Sequence, residues 1–204
     1  MRIGGFVPLS LVDYPDRPCI TLFTSGCNLR CPFCHNGDLV TGKEEDCQET
    51  VLKLLRQRRD TLKAVCISGG EPTIQVDLDE FITWVRALGY TVKLDTNGSR
   101  PEVIGRLLTD DLLDYVAIDV KASPQRYEQA TGGELSFDVV AETVKVVKAS
   151  GAAYELRTTA VPGLVDLEAL EVIVGRLGPM ERFALQQFRP IQTLDPAYRG
   201  IKPY

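Results

Sequence analysis

The sequence has very little histidine and no excess of positive charge. Histidine occurs once among 204 residues, at His35, and 23 lysines plus arginines face 28 aspartates plus glutamates, a formal net charge of −5. General acid–base catalysis uses histidine most often, so its scarcity disfavours ordinary hydrolytic chemistry. A general nucleic-acid binder needs a basic surface to neutralise phosphates, and we therefore expect no nucleic-acid partner.

Long apolar runs and secretion signals are also lacking. A membrane-spanning helix needs roughly 20 consecutive apolar residues, and no run approaches that length. The start lacks the basic and apolar regions of a signal peptide. Three of the six cysteines fall within eight residues, a clustering that favours free thiols over a disulfide framework. We therefore expect a cytoplasmic protein without membrane contact.

A cysteine triad occupies residues 27–34, which read Cys-Asn-Leu-Arg-Cys-Pro-Phe-Cys and have the spacing C-x3-C-x2-C. A cubane iron–sulfur cluster is normally held by four thiolates, and no fourth cysteine completes this set locally. Cys27, Cys31 and Cys34 would therefore leave one iron open for a ligand that is not protein. The alternative is a structural zinc site made by these cysteines and His35, because three cysteines and one histidine form a tetrahedral zinc set.

Apolar, β-branched runs alternate with segments of helical period along the chain. This alternation is typical of a parallel sheet covered by helices. Strands are predicted at residues 19–24, 64–68, 91–95, 115–119, 154–160 and 183–188. Helices are predicted at residues 49–58, 78–88, 101–108, 124–130, 139–150 and 167–177. No linker or repeat marks an internal boundary, so we expect one domain over residues 1–204.

Six βα units in this length indicate an α/β fold, either an incomplete barrel or an open doubly wound sheet, because a full eightfold barrel takes about 250 residues. In both architectures the ligand site lies at the C-terminal ends of the strands. The polar segments of chemical interest fall there, at residues 27–34, 69–71, 95–97, 119–121 and 187–189. The pattern therefore predicts one site built from successive strand ends.

The segment Ser68-Gly-Gly-Glu-Pro72 is the second strong signal after the cysteine triad. Two glycines let the backbone approach a ligand closely, and a carboxylate beside them can accept hydrogen bonds from an ammonium group. Neither a phosphate-binding loop nor a dinucleotide fingerprint is present. A tight strand-to-helix turn with a solvated Glu71 is the structural alternative.

Two further polar pairs stand at predicted strand ends. Asp95 and Asn97 precede a glycine, a pattern that also occurs in Asx turns without any ligand. Asp119 and Lys121 are two residues apart and share one face of an extended chain. A plain ion pair is the alternative to a ligand-binding role for that second pair.

The triad spacing, with Phe33 directly before the last cysteine, resembles the signature of the radical S-adenosylmethionine (SAM) enzymes. The segments SLVDYP (residues 10–15), LFTSGC (residues 22–27) and CHN (residues 34–36) resemble the activating proteins of glycyl radical enzymes. The closest likeness is to those of anaerobic ribonucleoside-triphosphate reductase. The resemblance implies a partial (β/α)6 TIM-like barrel of the radical SAM type. It also implies a [4Fe–4S] cluster on the three cysteines, with SAM bound at the open iron.

The resemblance further implies roles for side chains at the second and third strand ends. Gly69, Gly70 and Glu71 match the family's GGE motif, in which the glutamate holds the amino group of SAM. Asp95, with Asn97 beside it, would support the SAM site from the third strand.

The remaining implied ligands lie near the cysteines and at later strands. Asp119 and Lys121 match a D-x-K motif that contacts the methionine carboxylate and the ribose of SAM. Phe33 and His35 would line the cluster and the adenine pocket. The late histidine of some activating enzymes is missing here, and its contact with SAM is either lost or taken over by Gln187 or Arg189. No side chain is assigned an acid–base or nucleophilic role.

By this resemblance the chain is an oxidoreductase. The reduced cluster would give one electron to SAM, and a 5′-deoxyadenosyl radical would take the Cα hydrogen from one glycine of a partner enzyme. The implied partner is anaerobic ribonucleoside-triphosphate reductase, with pyruvate formate-lyase or another glycyl radical enzyme as alternative. Reduced flavodoxin or ferredoxin is the implied electron donor. A radical SAM enzyme acting on a small molecule and a zinc-stabilised binding module stay open as other classes.

Overall fold

The computed structural model describes residues 1–42, 44–133 and 135–204. Seven strands form one sheet in which each strand neighbours the next along the chain. They are β1 (Ile3–Ser10), β2 (Cys19–Thr24), β3 (Ala64–Gly69), β4 (Thr91–Thr96), β5 (Tyr115–Asp119), β6 (Ala153–Ala160) and β7 (Phe183–Gln187). All neighbours from β2 to β7 are parallel. An open doubly wound sheet reverses its strand order at a switch point, whereas this order runs without reversal, as in a barrel wall.

Seven α-helices connect and follow these strands in the described part of the chain. They are α1 (Gly37–Thr41), α2 (Gln48–Arg58), α3 (Leu78–Ala87), α4 (Pro101–Thr109), α5 (Tyr127–Thr131), α6 (Phe137–Ser150) and α7 (Leu167–Leu177). Helix α6 begins two residues before its predicted start because the Ser136 hydroxyl accepts a hydrogen bond from the Asp138 backbone N–H. No helix in the described residues combines the length and the apolar character needed to cross a bilayer.

Strand β1 is the main difference from the sequence-based expectation of six strands. It pairs antiparallel with β2, so that Ile3 lies opposite Thr24 and Ser10 opposite Cys19. Its sequence, IGGFVPLS, contains two glycines and a proline, which are depleted in strands. Pro8 is tolerated because it lies on an edge strand, at the register shift between Val7 and Ser10, where it is not one of the paired residues. The first residues therefore form a hairpin with β2 outside the βα repeat.

Period-two alternation gives the sheet an apolar face and a polar face. The apolar face contributes fully buried side chains to the main core, namely Ile20, Leu22, Val65, Ile67, Val92, Leu94, Val116, Ile118 and Leu156. The opposite face carries charged side chains, namely Lys93, Asp95, Asp119, Glu155 and Arg157. This second face borders the cavity described next, which is why the strands are not apolar on both sides.

Candidate active site

A cavity of about 300 Å³ opens at the C-terminal ends of the parallel strands. Twelve of the predicted site residues line it together, namely Cys27, Cys31, Phe33, Cys34, His35, Gly69, Gly70, Glu71, Asp95, Asn97, Asp119 and Lys121. The structure adds side chains that sequence reasoning missed, namely Asp13, Thr96, Arg157, Thr159 and Gln186. The sequence-predicted strand-end segments therefore converge on one site.

The cysteine loop, residues 26–34, is held by backbone hydrogen bonds to four other segments. The Gly26 N–H donates to the Leu39 carbonyl of α1, and the Glu71 N–H donates to the Gly26 carbonyl. The Arg30 N–H donates to the carbonyl of Thr131, at the end of α5. From the C-terminal segment, the Leu194 N–H donates to the Cys34 carbonyl at 3.0 Å. A loop held on so many sides presents its three thiols in a preformed arrangement.

The three thiols border the cavity together and are unpaired, as are the other three cysteines. Burial raises the pKa of Cys27, and it raises the pKa of Cys31 to about 12. Thiols of this kind must lose protons when they bind metal. In the described residues, no three histidine, cysteine or acidic side chains converge on a point that would hold a single metal ion. A cubane cluster binds each cysteine at a different iron, so its ligands do not have to converge on one point.

Gly69 and Gly70 of the GGE segment line the cavity, and they also pack directly against neighbouring backbone. A Cβ on Gly69 would lie 2.2 Å from the Thr24 backbone nitrogen, and Gly69 has φ +116°. A Cβ on Gly70 would lie 1.9 Å from the Gly26 carbonyl oxygen. The close approach that the structure shows is one between the GGE segment and the backbone leading into the cysteine loop, while the predicted approach to a ligand stays a prediction.

We expect Gly70→Ala to destabilise the fold and the cysteine loop together. The added methyl has no room beside Gly26, and overpacking of this kind costs about 1–3 kcal/mol or more. Denaturant unfolding and iron content after anaerobic reconstitution measure both effects. The control is Gly175→Ala in α7, where nothing lies within 4 Å of the new Cβ and a stabilisation of about 0.5–1 kcal/mol is expected. Wild-type stability and iron content in Gly70→Ala would contradict the packing role.

Glu71 is a buried carboxylate with its hydrogen bonds already in place, and its side chain is not solvated. The residue is 1% exposed. Its Oε1 accepts from the Thr73 N–H, the Thr73 hydroxyl and the Thr96 hydroxyl, while its Oε2 accepts from the Asn97 N–H at 2.7 Å. A carboxylate offers about four lone-pair sites, two on each oxygen, so Oε2 retains acceptor capacity. Burial raises the pKa of Glu71 although the donated hydrogen bonds oppose it.

Asn97 forms the Asx turn that the Asn-Gly sequence allows. Its Oδ1 accepts from the Ser99 N–H at 2.9 Å, and its Nδ2 donates to the Asn28 Oδ1 of the cysteine loop, also at 2.9 Å. The side chain thus ties the end of β4 to the cysteine loop. Its contact with SAM stays a prediction.

Asp119 and Lys121 form the ion pair that their spacing allows, and they form it at the cavity. The Lys121 ammonium donates to the Asp119 Oδ2 at 3.0 Å. Burial alone would lower the pKa of Lys121, but Asp119 and then Cys31 raise it above its ordinary value. The ammonium therefore stays charged, at the cavity that the cysteine triad also lines.

The end of β7 differs in detail from the prediction. Gln186 lines the cavity, whereas Gln187 and Arg189 are not among the described residues that do. Side chains alternate along a strand, so neighbouring glutamines face opposite ways. Arg189 reaches the site through its backbone carbonyl, which makes a short contact with the His35 Nε2. His35 thus occupies the edge of the cavity with a protein partner on that ring nitrogen.

Comparison with known proteins identifies the family. The model of the radical SAM superfamily matches residues 21–173, from β2 to within α7. This chain belongs to the radical SAM superfamily. It is accordingly an enzyme whose cofactors are a [4Fe–4S] cluster and SAM. The cluster interpretation of the cysteine triad is favoured over zinc, while the individual ligand residues stay predictions.

Three curated relatives show the breadth of the likeness. A protein of Methanocaldococcus jannaschii, provisionally named a glycyl-radical enzyme activating enzyme, is 36% identical over 206 aligned residues, which are 98% of this chain and 85% of the relative. The pyruvate formate-lyase-activating enzyme of Listeria innocua is 32% identical over 64% of this chain and 57% of its own length. A protein of Pyrococcus abyssi, provisionally named a GTP 3′,8-cyclase, is 30% identical over 94% of this chain and 69% of its own length.

Solved radical SAM structures share the fold. Coproporphyrinogen III oxidase (HemN) of Escherichia coli superposes with a TM-score of 0.63 and 16% identity, over 94% of this chain and 49% of that protein. The partial barrel of the radical SAM type is thereby confirmed.

Proposed function

We propose that this chain is an activating enzyme that installs a glycyl radical in a partner protein. The observation that carries the proposal is the relative from M. jannaschii, which is 36% identical over nearly the full chain. When bound, the reduced cluster would supply one electron that cleaves SAM into methionine and a 5′-deoxyadenosyl radical, and that radical would take a hydrogen atom from the substrate. Cys27, Cys31 and Cys34 would hold the cluster, and Glu71 would accept from the SAM amino group.

The size of the cavity supports a substrate that remains attached to a protein. Small-molecule sites usually measure about 300–1,000 Å³, and this cavity of about 300 Å³ lies at the lower end. The cavity opens at the C-terminal ends of the strands, where a loop of a partner protein can reach it.

The finer parts of the proposal concern the partners and the compartment. We propose anaerobic ribonucleoside-triphosphate reductase as the protein substrate, with pyruvate formate-lyase or another glycyl radical enzyme as the alternative. Reduced flavodoxin or ferredoxin is the proposed electron donor. A cytoplasmic location agrees with six unpaired cysteines, because a reducing compartment keeps thiols free.

A radical SAM enzyme acting on a small molecule is the second candidate. The P. abyssi relative, whose name specifies a reaction of GTP, matches 94% of this chain. Only two cations line the described cavity, Lys121 and Arg157, and both are paired with aspartates. The cavity therefore offers a triphosphate no cation that is free of an aspartate among its described lining residues, and this favours the protein substrate.

A partner-dependence assay tests the proposal. The reduced, cluster-loaded protein given SAM alone is expected to form 5′-deoxyadenosine slowly, because no hydrogen donor is positioned. The cognate glycyl radical enzyme should accelerate that reaction and give a glycyl radical doublet in electron paramagnetic resonance. A peptide spanning the partner's glycine loop should be less effective than the enzyme and more effective than free glycine, since orientation contributes much of the rate. Consumption of a small metabolite, with no doublet from any candidate enzyme, would favour the second candidate.

A further inference from the structure

A row of alternating charges crosses the polar face of the sheet, and we call it the charge ladder. Its members in order are Lys121, Asp119, Arg157, Asp95, Lys93, Glu155 and Arg182. Neighbouring charged atoms lie between 2.5 and 3.6 Å apart. Every anion therefore has a cation on each side. Buried charges need such partners, because an isolated charge costs several kcal/mol in a protein interior.

Arg157 stands at the centre of the charge ladder and joins two strand ends. Its Nε donates to the Asp119 Oδ1 at 2.8 Å, and its Nη1 donates to the Asp95 Oδ2 at 3.1 Å. The strand register explains the geometry, because Arg157 lies directly opposite Asp119, while Asp95 lies opposite Ala117. The small Ala117 side chain lies on the same face between them, so the guanidinium can reach across β5. A planar guanidinium with several donors suits this double contact.

The charge ladder has a half that borders the cavity and a half that does not. Lys121, Asp119, Arg157 and Asp95 line the cavity. The other half, namely Lys93, Glu155 and Arg182, is not among the described lining residues, and the Arg182 side chain is 54% exposed. Arg157 is thus the member through which both cavity-facing aspartates are held.

Each of these aspartates has both oxygens engaged, which leaves it little freedom. Asp119 binds Arg157 with one oxygen and Lys121 with the other. Asp95 binds Arg157 with one oxygen and Lys93 with the other. Burial alone would raise the pKa of Asp119, but Arg157 and Lys121 hold it well below its usual range. Without Arg157, two neighbouring carboxylates would face the cavity and repel each other.

We propose that Arg157 is a positioning residue of the SAM site. It holds Asp95 and Asp119 in one orientation and, through Asp119, holds the Lys121 ammonium at the cavity that the cysteine triad also lines. The proposal rests on SAM binding by this superfamily and is independent of which partner protein is activated.

The test measures SAM affinity by anaerobic calorimetry on the full-length, cluster-loaded protein, with iron content and thermal unfolding recorded for each variant. Arg157→Lys keeps the charge, but its single ammonium does not reproduce the double contact, and the SAM dissociation constant is expected to rise about tenfold or more. Arg157→Ala should lose more affinity. Millimolar guanidinium chloride should restore part of it, whereas sodium chloride at matched ionic strength should not.

Arg182→Ala is the matched control, because it removes one positive charge from the far end of the same ladder. SAM affinity within about twofold of wild type is expected for it, since Arg182 does not line the cavity. Wild-type SAM affinity in folded, iron-loaded Arg157→Lys and Arg157→Ala would overturn the proposal. An equal loss of affinity in Arg182→Ala would also overturn it, because net charge rather than position would then be responsible. Partner assays do not enter this test, so its failure would leave the proposed glycyl radical activity unaffected.

Discussion

Replacement of Cys31 by alanine is expected to abolish cluster binding and reductive cleavage of SAM. Cys31 is the central thiol of the triad, it lines the cavity, and it is 8% exposed. With only two of the three thiolates left and no other cysteine lining the described cavity, the cluster loses one of its protein ligands. The same result is expected for Cys27→Ala and Cys34→Ala. Iron content, visible absorbance and 5′-deoxyadenosine formation measure it.

Cys66→Ala is the matched control for the cysteine variants. Cys66 is fully buried in β3 and packs with Tyr14, Cys19 and Ala64, away from the cysteine loop. Its truncation should cost about 1 kcal/mol of stability for a lost small apolar group, with the cluster retained. Loss of the cluster in Cys66→Ala, together with its retention in Cys31→Ala, would show that the ligands are assigned to the wrong cysteines.

Glu71→Gln is expected to weaken SAM binding about tenfold to a hundredfold while the cluster remains. The carboxylate would accept from the SAM ammonium, and a charge-assisted hydrogen bond of this kind contributes roughly 1.5–3 kcal/mol. Glutamine keeps the size of the side chain and one acceptor oxygen, so most of the hydrogen bonds from Thr73 and Thr96 can persist. Anaerobic calorimetry with SAM is the direct measurement.

The structure shows why alanine is a poor choice at this position. Glu71→Ala would leave four buried donors without their acceptor, namely the N–H groups of Thr73 and Asn97 and the hydroxyls of Thr73 and Thr96. Each buried, unsatisfied group costs about 1–3 kcal/mol, so this variant would lose stability and SAM affinity together.

Thr73→Val separates the two roles of Glu71. It removes one donor to Glu71 Oε1 and leaves the carboxylate charge unchanged. A stability loss of about 1 kcal/mol with near-normal SAM affinity is expected. Equal SAM affinity in wild type and Glu71→Gln would contradict a role in SAM binding. Glu71 would then have only the structural role of linking the ends of β3 and β4 by hydrogen bonds.

The sequence alone was sufficient for the features that depend on local order. The cysteine triad lies within eight residues, and all six parallel strands, β2 to β7, were predicted from short apolar runs to within one residue of their limits. Parallel strands bring their C-terminal ends to one edge of the sheet, so the convergence of Glu71, Asp95, Asp119 and Lys121 on the cavity followed from topology. Strand β1 was not predicted, because two glycines and a proline within eight residues are unfavourable for a strand.

The tertiary structure decided the features that depend on pairing between distant segments. Arg157 was recognisable as a strand residue, but its contacts with Asp95 and Asp119 follow from the register of β4, β5 and β6. A shift of one residue would turn the side chain to the opposite face, and composition does not encode that choice. The same reason places Gln186 rather than Gln187 at the cavity. Local pattern thus identified the chemistry of the site, while strand register and long-range hydrogen bonds determined which charged groups hold it in place.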